Sequence, residues 1–200
     1  KIDPFDTMYA VSFKAGNTNG TSAKLKEGDY VPLNDLLYGL MLPSGNDAGM
    51  TIAENIILHE SLIKNPIPSH IEGALYEKEV KKRMNRLLVR FFQKMNNKAN
   101  KLGMKNTNYA SAHGLANKMN YSCAIDQAVL ACEALKNTRF RDIVNTLDYE
   151  AEVERNGKFQ NISYQNTNKL LSKKGYFGVK TGITRPAGGC LATGLERDGR

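Results

Sequence analysis

The hydrophobic pattern of the chain changes near residue 145, from a helical repeat to a two-residue repeat. Before that point the longest apolar stripe has steps of three and four residues and comprises Met84, Leu87, Leu88, Phe91, Phe92, Met95, Ala99 and Leu102. After it, Leu147, Tyr149, Ala151 and Val153 alternate with acidic residues, which is typical of a strand with one solvated face. The change predicts an α/β chain, more narrowly α+β, with a mainly helical part at 1–145 and antiparallel strands at 146–200.

Helix-start and helix-stop signals divide the first part. Residues 2–30 are expected to be irregular, and Asn34 or Asp35 introduces a short helix. A second helix begins at the Ser44-Gly45-Asn46 segment, and the long stripe predicts a helix from about Leu75 to Leu102 that ends at Gly103. Ser122 opens another helix, whose predicted core face is Ile125, Ala128, Val129, Cys132 and Leu135.

Turn signals organise the second part. Asn156-Gly157 predicts a type I′ hairpin turn, and the segments GYFGVKTGIT and GGCLATGLER predict two further antiparallel strands. Asp198-Gly199 is another turn signal, after which no return strand follows. Because folded proteins protect unpaired sheet edges, we expect a single partial domain that is cut at both ends.

Composition narrows the class of protein. A chain of 200 residues with 41% hydrophobic content can bury one sizeable core. It contains neither a long apolar run nor a signal-peptide pattern. Cys123, Cys132 and Cys190 lack the spacing of a disulfide framework or a zinc site, so we predict no metal site and no cofactor.

The formal net charge of +8 is concentrated in one stretch, Lys78 to Lys105. Its cations are Lys78, Lys81, Lys82, Arg83, Arg86, Arg90, Lys94, Lys98, Lys101 and Lys105. One interpretation is the solvated face of a long helix. The other is a docking face for an anionic or protein partner. A nucleic-acid partner is not expected, because Phe91 and Phe92 are the only aromatic residues in the stretch that could stack on bases, and their spacing suits a core.

Two short motifs carry candidate chemistry: Ser44-Gly45-Asn46 and Lys180-Thr181-Gly182. Each is weak alone, and Ser44 and Asn46 could simply cap a helix, while Lys180 could be a solvent-facing strand lysine. However, one motif opens a helix and the other lies on a strand. That arrangement allows a hydroxyl, an amide and an ammonium group to meet in one cleft.

Longer blocks around these motifs resemble the serine D-alanyl-D-alanine carboxypeptidases, the low-molecular-weight penicillin-binding proteins. The blocks, in the family's order, are LMLPSGNDAG, FFQKMNNKANKLGMKNTNYASAHGL, NYSCAIDQA, QNTNKLL and GVKTGITRPAGGCLATGLERDG. The resemblance covers most of the chain from about Gly20 to Arg200. The resemblance implies an antiparallel sheet flanked by helices, with a helical subdomain and an active site between them. It also implies acyl transfer from peptides ending in D-Ala-D-Ala, and inhibition by β-lactams.

The resemblance assigns a role to each motif residue. Lys180, Thr181 and Thr184 would bind the terminal carboxylate of the substrate, with Gly182 beside them on the strand. The backbone N–H of Ile183 matches the family's second oxyanion donor. Ser44 would hold or relay a proton, and Asn46 would bind the substrate's amide oxygen. His113 is expected to be structural.

The attacking serine is the missing piece. The family needs Ser-x-x-Lys, in which the lysine accepts the hydroxyl proton from the serine one helical turn away. Only Ser61-Leu62-Ile63-Lys64 has that spacing. It lies about 17 residues beyond Ser44 on the same helix, roughly 25 Å away at 1.5 Å per residue. We therefore expect the nucleophile upstream of Lys1 and no turnover by the 200-residue chain alone.

Two alternatives remain at this point. A class A β-lactamase is disfavoured, because S-G-N replaces S-D-N and no E-x-x-L-N segment is present. A catalytically inactive structural subunit, docked through the basic helix from Lys78 to Lys105, would carry the same motifs. A bacterial member of the family would work outside the cytoplasmic membrane.

Overall fold

The computed structural model describes residues 4–197, in which helices and antiparallel strands are both present. The helices are α1 (Phe13–Gly16), α2 (Leu33–Met41), α3 (Asn46–Lys64), α4 (Gly73–Lys101), α5 (Ala124–Ala134) and α6 (Thr138–Asn145). The strands are β1 (Met8–Ala10), β2 (Tyr30–Pro32), β3 (Asp148–Arg155), β4 (Lys158–Gln165), β5 (Tyr176–Thr184) and β6 (Gly188–Leu195).

The strands form two separate antiparallel sheets. One has the order β1-β2-β3-β4, and the other pairs β5 with β6. In the first sheet, β1 lies within residues 2–30, which the sequence predicted to be irregular, and β2 begins at the last of those residues, Tyr30. That prediction was wrong because β1 and β2 are only three residues long, too short to show a two-residue repeat. Val31 is buried because β2 pairs with β1, and no alternation along the chain signals its burial.

The β3–β4 hairpin forms as predicted. Arg155 pairs with Lys158, so Asn156 and Gly157 are the two loop residues. Both have positive φ, 53° and 70°, as a type I′ turn requires. On the inner face Ala151 and Val153 are buried and Tyr149 is half-buried, as the alternation predicted, whereas Leu147 precedes the strand and is 51% exposed.

The long helix α4 also confirms its prediction. It spans Gly73–Lys101, and Gly103 follows with φ of 78°, a conformation that glycine adopts without a side-chain clash. Leu87, Leu88 and Ala99 are its buried residues. The core of the chain lies between α2, α3 and the first sheet, where Leu36, Ala53 and Val153 are almost completely buried.

The helix α5 contradicts its predicted core face. Ile125, Val129 and Cys132 are exposed, and Asp126 is the buried residue of the helix. The Asp126 carboxylate accepts hydrogen bonds from the backbone N–H of Asn106 at 2.8 Å and from the Thr107 hydroxyl at 2.7 Å. These bonds stabilise the side that faces the protein, while Ile125 on the predicted core face is 76% exposed.

Several smaller expectations have definite outcomes. Helix α5 begins at Ala124 after Cys123, not at Ser122, and α6 was not predicted. The Asp198-Gly199 turn lies outside the described residues. Among residues 4–197, no helix combines the length and apolar character that a membrane span requires.

Candidate active site

The Ser44-Gly45-Asn46 segment lies in a close-packed turn between α2 and α3. Ser44 has a positive φ of 63°, and the N–H of Gly45 donates to the Gly39 carbonyl at 2.9 Å. A Cβ at Gly45 would lie 2.7 Å from both the Ala23 Cβ and the Gly39 oxygen, so only glycine fits. The Ser44 side chain itself is half-buried, at the start of α3 as predicted.

Asn46 is the first residue of α3 and is 5% exposed. Its N–H donates to the Thr21 carbonyl at 2.8 Å, and its Nδ2 donates to the Asn19 carbonyl at 2.8 Å. The Thr21 hydroxyl donates in turn to the Ser44 carbonyl at 2.5 Å. The 19–21 loop therefore holds both polar residues of the motif, and the Asn46 amide nitrogen has an internal partner.

Asp47, which the sequence did not single out, anchors the same turn. The carboxylate is 1% exposed and accepts four hydrogen bonds. The donors are the N–H groups of Ala23 (2.8 Å), Leu25 (3.1 Å) and Ala48 (2.9 Å) and the hydroxyl of Ser22 (2.6 Å). Because an ionised carboxylate binds N–H groups strongly, Asp47 fixes the 22–25 loop against the start of α3.

The Lys180-Thr181-Gly182 segment lies within β5, as predicted. Lys180 and Thr181 are half-buried, and the Nζ of Lys180 donates to the Thr181 carbonyl at 2.8 Å. Gly182 and Ile183 are exposed, with Ile183 at 84%. The Thr184 hydroxyl accepts a bond from the N–H of Ala187 at 3.2 Å, inside the β5–β6 turn.

Burial lowers the pKa of the Lys180 ammonium to about 8. The cause is the loss of hydration of the charged form, because no carboxylate in the described chain lies within 4.0 Å of it. An anionic ligand at this position would restore the charge balance. The side chain is therefore suited to bind a carboxylate.

Thr167 connects the two motif-bearing segments. Its hydroxyl donates to the Leu42 carbonyl at 3.2 Å, two residues before Ser44, and lies 2.5 Å from the Thr181 hydroxyl. One side chain thus links the segment that leads into S-G-N to the strand that carries K-T-G. That S-G-N and K-T-G form the two walls of one cleft stays a prediction.

Asn168 adds a second link to β5. Nothing in the sequence indicated the roles of Thr167 and Asn168. The amide of Asn168 donates to the Gly178 carbonyl on β5, and the residue is 4% exposed. The 165–169 segment also lines an open groove of about 670 Å³, which contains neither motif. The block QNTNKLL was the only sequence signal for these two residues, but a sequence block does not indicate which strand its side chains contact.

The other candidate residues lie apart from these walls. Ser61 and Lys64 are at the far end of α3 from Asn46, as expected. The Nδ1 of His113 accepts a bond from the N–H of Leu115 at 3.2 Å, and burial lowers the pKa of this imidazole, which fits a structural role. Among the described residues, no group of three or more His, Cys, Asp or Glu could hold a metal ion.

Comparison with known proteins identifies the family. The model of the peptidase S11 family, described as D-alanyl-D-alanine carboxypeptidase, matches residues 88–199. The chain belongs to the D-alanyl-D-alanine carboxypeptidase family. Among its curated relatives, the D-alanyl-D-alanine carboxypeptidase of Streptomyces sp. (strain K15) is 36% identical over 183 residues, which are 90% of this chain and 55% of the relative. DacF of Bacillus subtilis (strain 168) is 30% identical, over 92% of this chain and 39% of the relative.

Solved structures of the carboxypeptidase family confirm the fold class. The Streptomyces K15 DD-transpeptidase superposes with a TM-score of 0.81 at 32% identity, covering 98% of this chain and 69% of that structure. DacD from Francisella tularensis has a TM-score of 0.74 at 23% identity, a likeness of fold alone. This chain spans about half the length of the curated relatives it matches.

Proposed function

We propose that the protein carrying this chain is a serine-type D-Ala-D-Ala carboxypeptidase acting on peptidoglycan stem peptides. The observation that carries the proposal is the Thr167 bridge, which ties the approach to S-G-N to the K-T-G strand. In this proposal the cleft lies between these walls and offers an ammonium group, hydroxyl groups and an amide to a short peptide. Its relatives, named D-alanyl-D-alanine carboxypeptidases in bacteria, support this function over an inactive structural subunit.

In the proposed reaction, a serine hydroxyl attacks the carbonyl carbon of the penultimate D-alanine. The peptide bond breaks, the terminal D-alanine leaves as the free amine, and the serine ester that forms is hydrolysed by water. The attacking serine comes from sequence that this chain does not contain, because no Ser-x-x-Lys pair lies near Ser44. β-Lactams would acylate the same serine and inhibit the enzyme.

The residues of this chain bind and orient the substrate. Lys180, with Thr181 and Thr184, binds the terminal carboxylate, and the exposed position of Gly182 leaves room for the peptide beside the strand. The backbone N–H of Ile183 donates to the developing oxyanion. On the opposite wall, Ser44 holds a proton near the base, and Asn46 binds the substrate's amide oxygen.

The proposed enzyme acts outside the cytoplasmic membrane, where peptidoglycan peptides occur. The relatives are bacterial proteins. The proposed chemistry uses only side chains and backbone.

Labelling with a fluorescent penicillin tests the proposal. The protein as made by the cell should form a covalent adduct that survives denaturation and should release D-alanine from a peptide ending in D-Ala-D-Ala. Lys180→Gln should slow both reactions, whereas Lys158→Gln, at an exposed site on β4, should not. An unlabelled protein that contains an upstream Ser-x-x-Lys would favour the inactive-subunit alternative. Turnover by residues 1–200 alone would contradict the missing-serine part.

A further inference from the structure

The N-terminal end of α4 extends beyond its neighbouring helix. Helix α3 ends at Lys64, and the next carbonyl, that of Asn65, accepts a bond from Arg83 Nη1 at 2.8 Å. The ten residues of α4 before Arg83 therefore lie past the end of α3, a length of about 15 Å. Residues 73–78 are all exposed, including Leu75 at 64%. We call residues 73–82 the α4 overhang.

Most helices in proteins derive their stability from packing an apolar face against the core. The first turns of the overhang have little such contact: residues 73–78 are exposed, although Tyr76, at 36%, has most of its surface covered. Leu75, at 64%, leaves apolar surface in water. A helix extended in this way is expected to contact another molecule.

The outward face of α4 combines cations with apolar side chains. Lys78, Lys82 and Arg86 follow at four-residue steps, and Leu75 and Val89 stand three residues outside them at either end. Such spacing places all five on one side of the helix. All are exposed, and we call these five residues the outer stripe.

The charges of the outer stripe are poorly neutralised. Lys82 has only a distant partner, the Glu79 carboxylate at 3.9 Å. Within residues 4–197, no carboxylate lies within 4.0 Å of Lys78 or Arg86. By contrast, Lys94 and Lys98, further along the same helix, pair with Glu60 at 2.5 Å and with Glu133 at 3.5 Å. Two of the three stripe cations, Lys78 and Lys82, lie in the α4 overhang, where the helix extends from the fold.

We propose that the outer stripe docks α4 on the surface of an anionic phospholipid bilayer. The cations meet lipid phosphates, while Leu75 and Val89 enter the boundary between headgroups and acyl chains. A soluble polyanion would use the same cations but leave both apolar side chains in water. The inference is independent of the acyl-transfer reaction, and the two can fail separately.

Vesicle binding tests the charge requirement. The purified protein should sediment with phosphatidylglycerol/phosphatidylcholine vesicles and not with pure phosphatidylcholine. Because each surface cation contributes about fivefold in affinity, Lys78→Gln/Lys82→Gln/Arg86→Gln should weaken binding by about 100-fold. A matched control, Lys158→Gln/Lys173→Gln/Lys174→Gln, removes three exposed cations elsewhere and should change binding far less. Equal loss in both triple variants would overturn the proposal.

The apolar pair separates a bilayer from a soluble polyanion. Leu75→Ser/Val89→Ser should weaken vesicle binding by about tenfold, through lost apolar burial. If this variant binds like the parent protein and soluble polyphosphate competes fully, the surface binds polyanions and not a bilayer. Absence of binding to phosphatidylglycerol vesicles would also overturn the proposal. Circular dichroism of each variant checks that α4 remains folded.

A tryptophan probe gives an independent measurement, because the sequence contains no tryptophan. Leu75→Trp should show a blue-shifted emission on adding phosphatidylglycerol vesicles, as the indole leaves water. Phe159→Trp, at a 63% exposed aromatic position on β4, is the control and should not shift. An unchanged Leu75→Trp spectrum under binding conditions would contradict insertion of this side chain.

Discussion

The two walls of the candidate site are held in place in different ways. On the S-G-N wall, Gly45, Asn46 and Asp47 are buried, and Asn46 and Asp47 form hydrogen bonds to the loop between α1 and β2. On the K-T-G wall, β5 pairs with β6 alone among the described strands, and Gly182 and Ile183 are exposed. The first wall is therefore positioned by packing, and the second by a hairpin and the side chains of Thr167 and Asn168.

This difference separates stability from chemistry. Substitutions in the S-G-N turn should act first on folding, because they disturb buried hydrogen bonds and close contacts. Substitutions in K-T-G should act first on ligand binding, because their side chains contact few neighbours. The predictions below test that division, beginning with the greatest expected loss of stability.

Asp47→Ala should destabilise the protein most. Removing the carboxylate leaves the N–H groups of Ala23, Leu25 and Ala48 without their acceptor, at a cost of about 4 kcal/mol or more. Urea denaturation followed by circular dichroism measures the free energy of unfolding. Thr181→Ala on the other wall is the control and should cost about 1 kcal/mol or less. Equal costs would show that the two walls do not differ in this way.

A glycine-to-alanine pair compares the walls directly. In Gly45→Ala the new Cβ would lie 2.7 Å from the Ala23 Cβ and the Gly39 oxygen, whereas a Cβ at Gly182 has nothing within 4 Å. The strain should cost Gly45→Ala about 3 kcal/mol, and Gly182→Ala should remain within about 0.5 kcal/mol. For a chain of this length, that is a fall in melting temperature of about 9 °C against less than about 2 °C. Similar melting temperatures would contradict the close packing of the S-G-N turn.

Sequence reasoning succeeded where a pattern is long or chemically specific. The stripe of α4 repeats over many residues, and Asn156-Gly157 is specific for one type of turn, so both formed as predicted. The strands β1 and β2 were missed because three residues carry no period. The face of α5 was assigned wrongly, since an apolar stripe shows that a face can be buried and not what is present to cover it.

The site was predictable to a similar extent. Motifs located S-G-N at the start of α3 and K-T-G on β5. Asp47 and Thr167 were missed because an acidic residue in a first helical turn and a threonine in a loop are common. Their importance comes largely from partners that lie 22 to 125 residues away in the chain. Such partners are set by tertiary structure and have no local signature.

Thr167→Val should remove the side-chain link between the walls, while keeping the shape of the side chain and the bond from its backbone N–H to the Leu42 carbonyl. It removes the hydroxyl bonds to Leu42 and Thr181 and should cost about 1 kcal/mol of stability. If the bridge aligns K-T-G with the rest of the site, acylation by a fluorescent penicillin should slow by about tenfold. Thr167→Ser keeps the hydroxyl and should restore most of that rate. Parent-like acylation by Thr167→Val would show that the bridge does not position β5.

The smallest expected effect is the pH dependence contributed by Lys180. Burial lowers its pKa from 10.5 to about 8 in the folded chain. Between these two values the unfolded chain binds more protons than the folded chain does, so stability should rise with pH in this window. Lys180 is half-buried and partly screened by water, so the slope should be shallow.

The measurement is urea denaturation of the protein and of Lys180→Met at pH 7 and pH 10. Methionine cannot titrate, and it fills the same half-buried space. The variant should be the more stable of the two at pH 7, where the folded lysine must carry a poorly hydrated charge, and the difference should narrow by pH 10. Lys158→Met removes an exposed lysine and should show no such narrowing. A constant difference across this range would show that the K-T-G wall leaves Lys180 as hydrated as a surface lysine. The contrast between a packed and an exposed wall would then extend to the ammonium group itself.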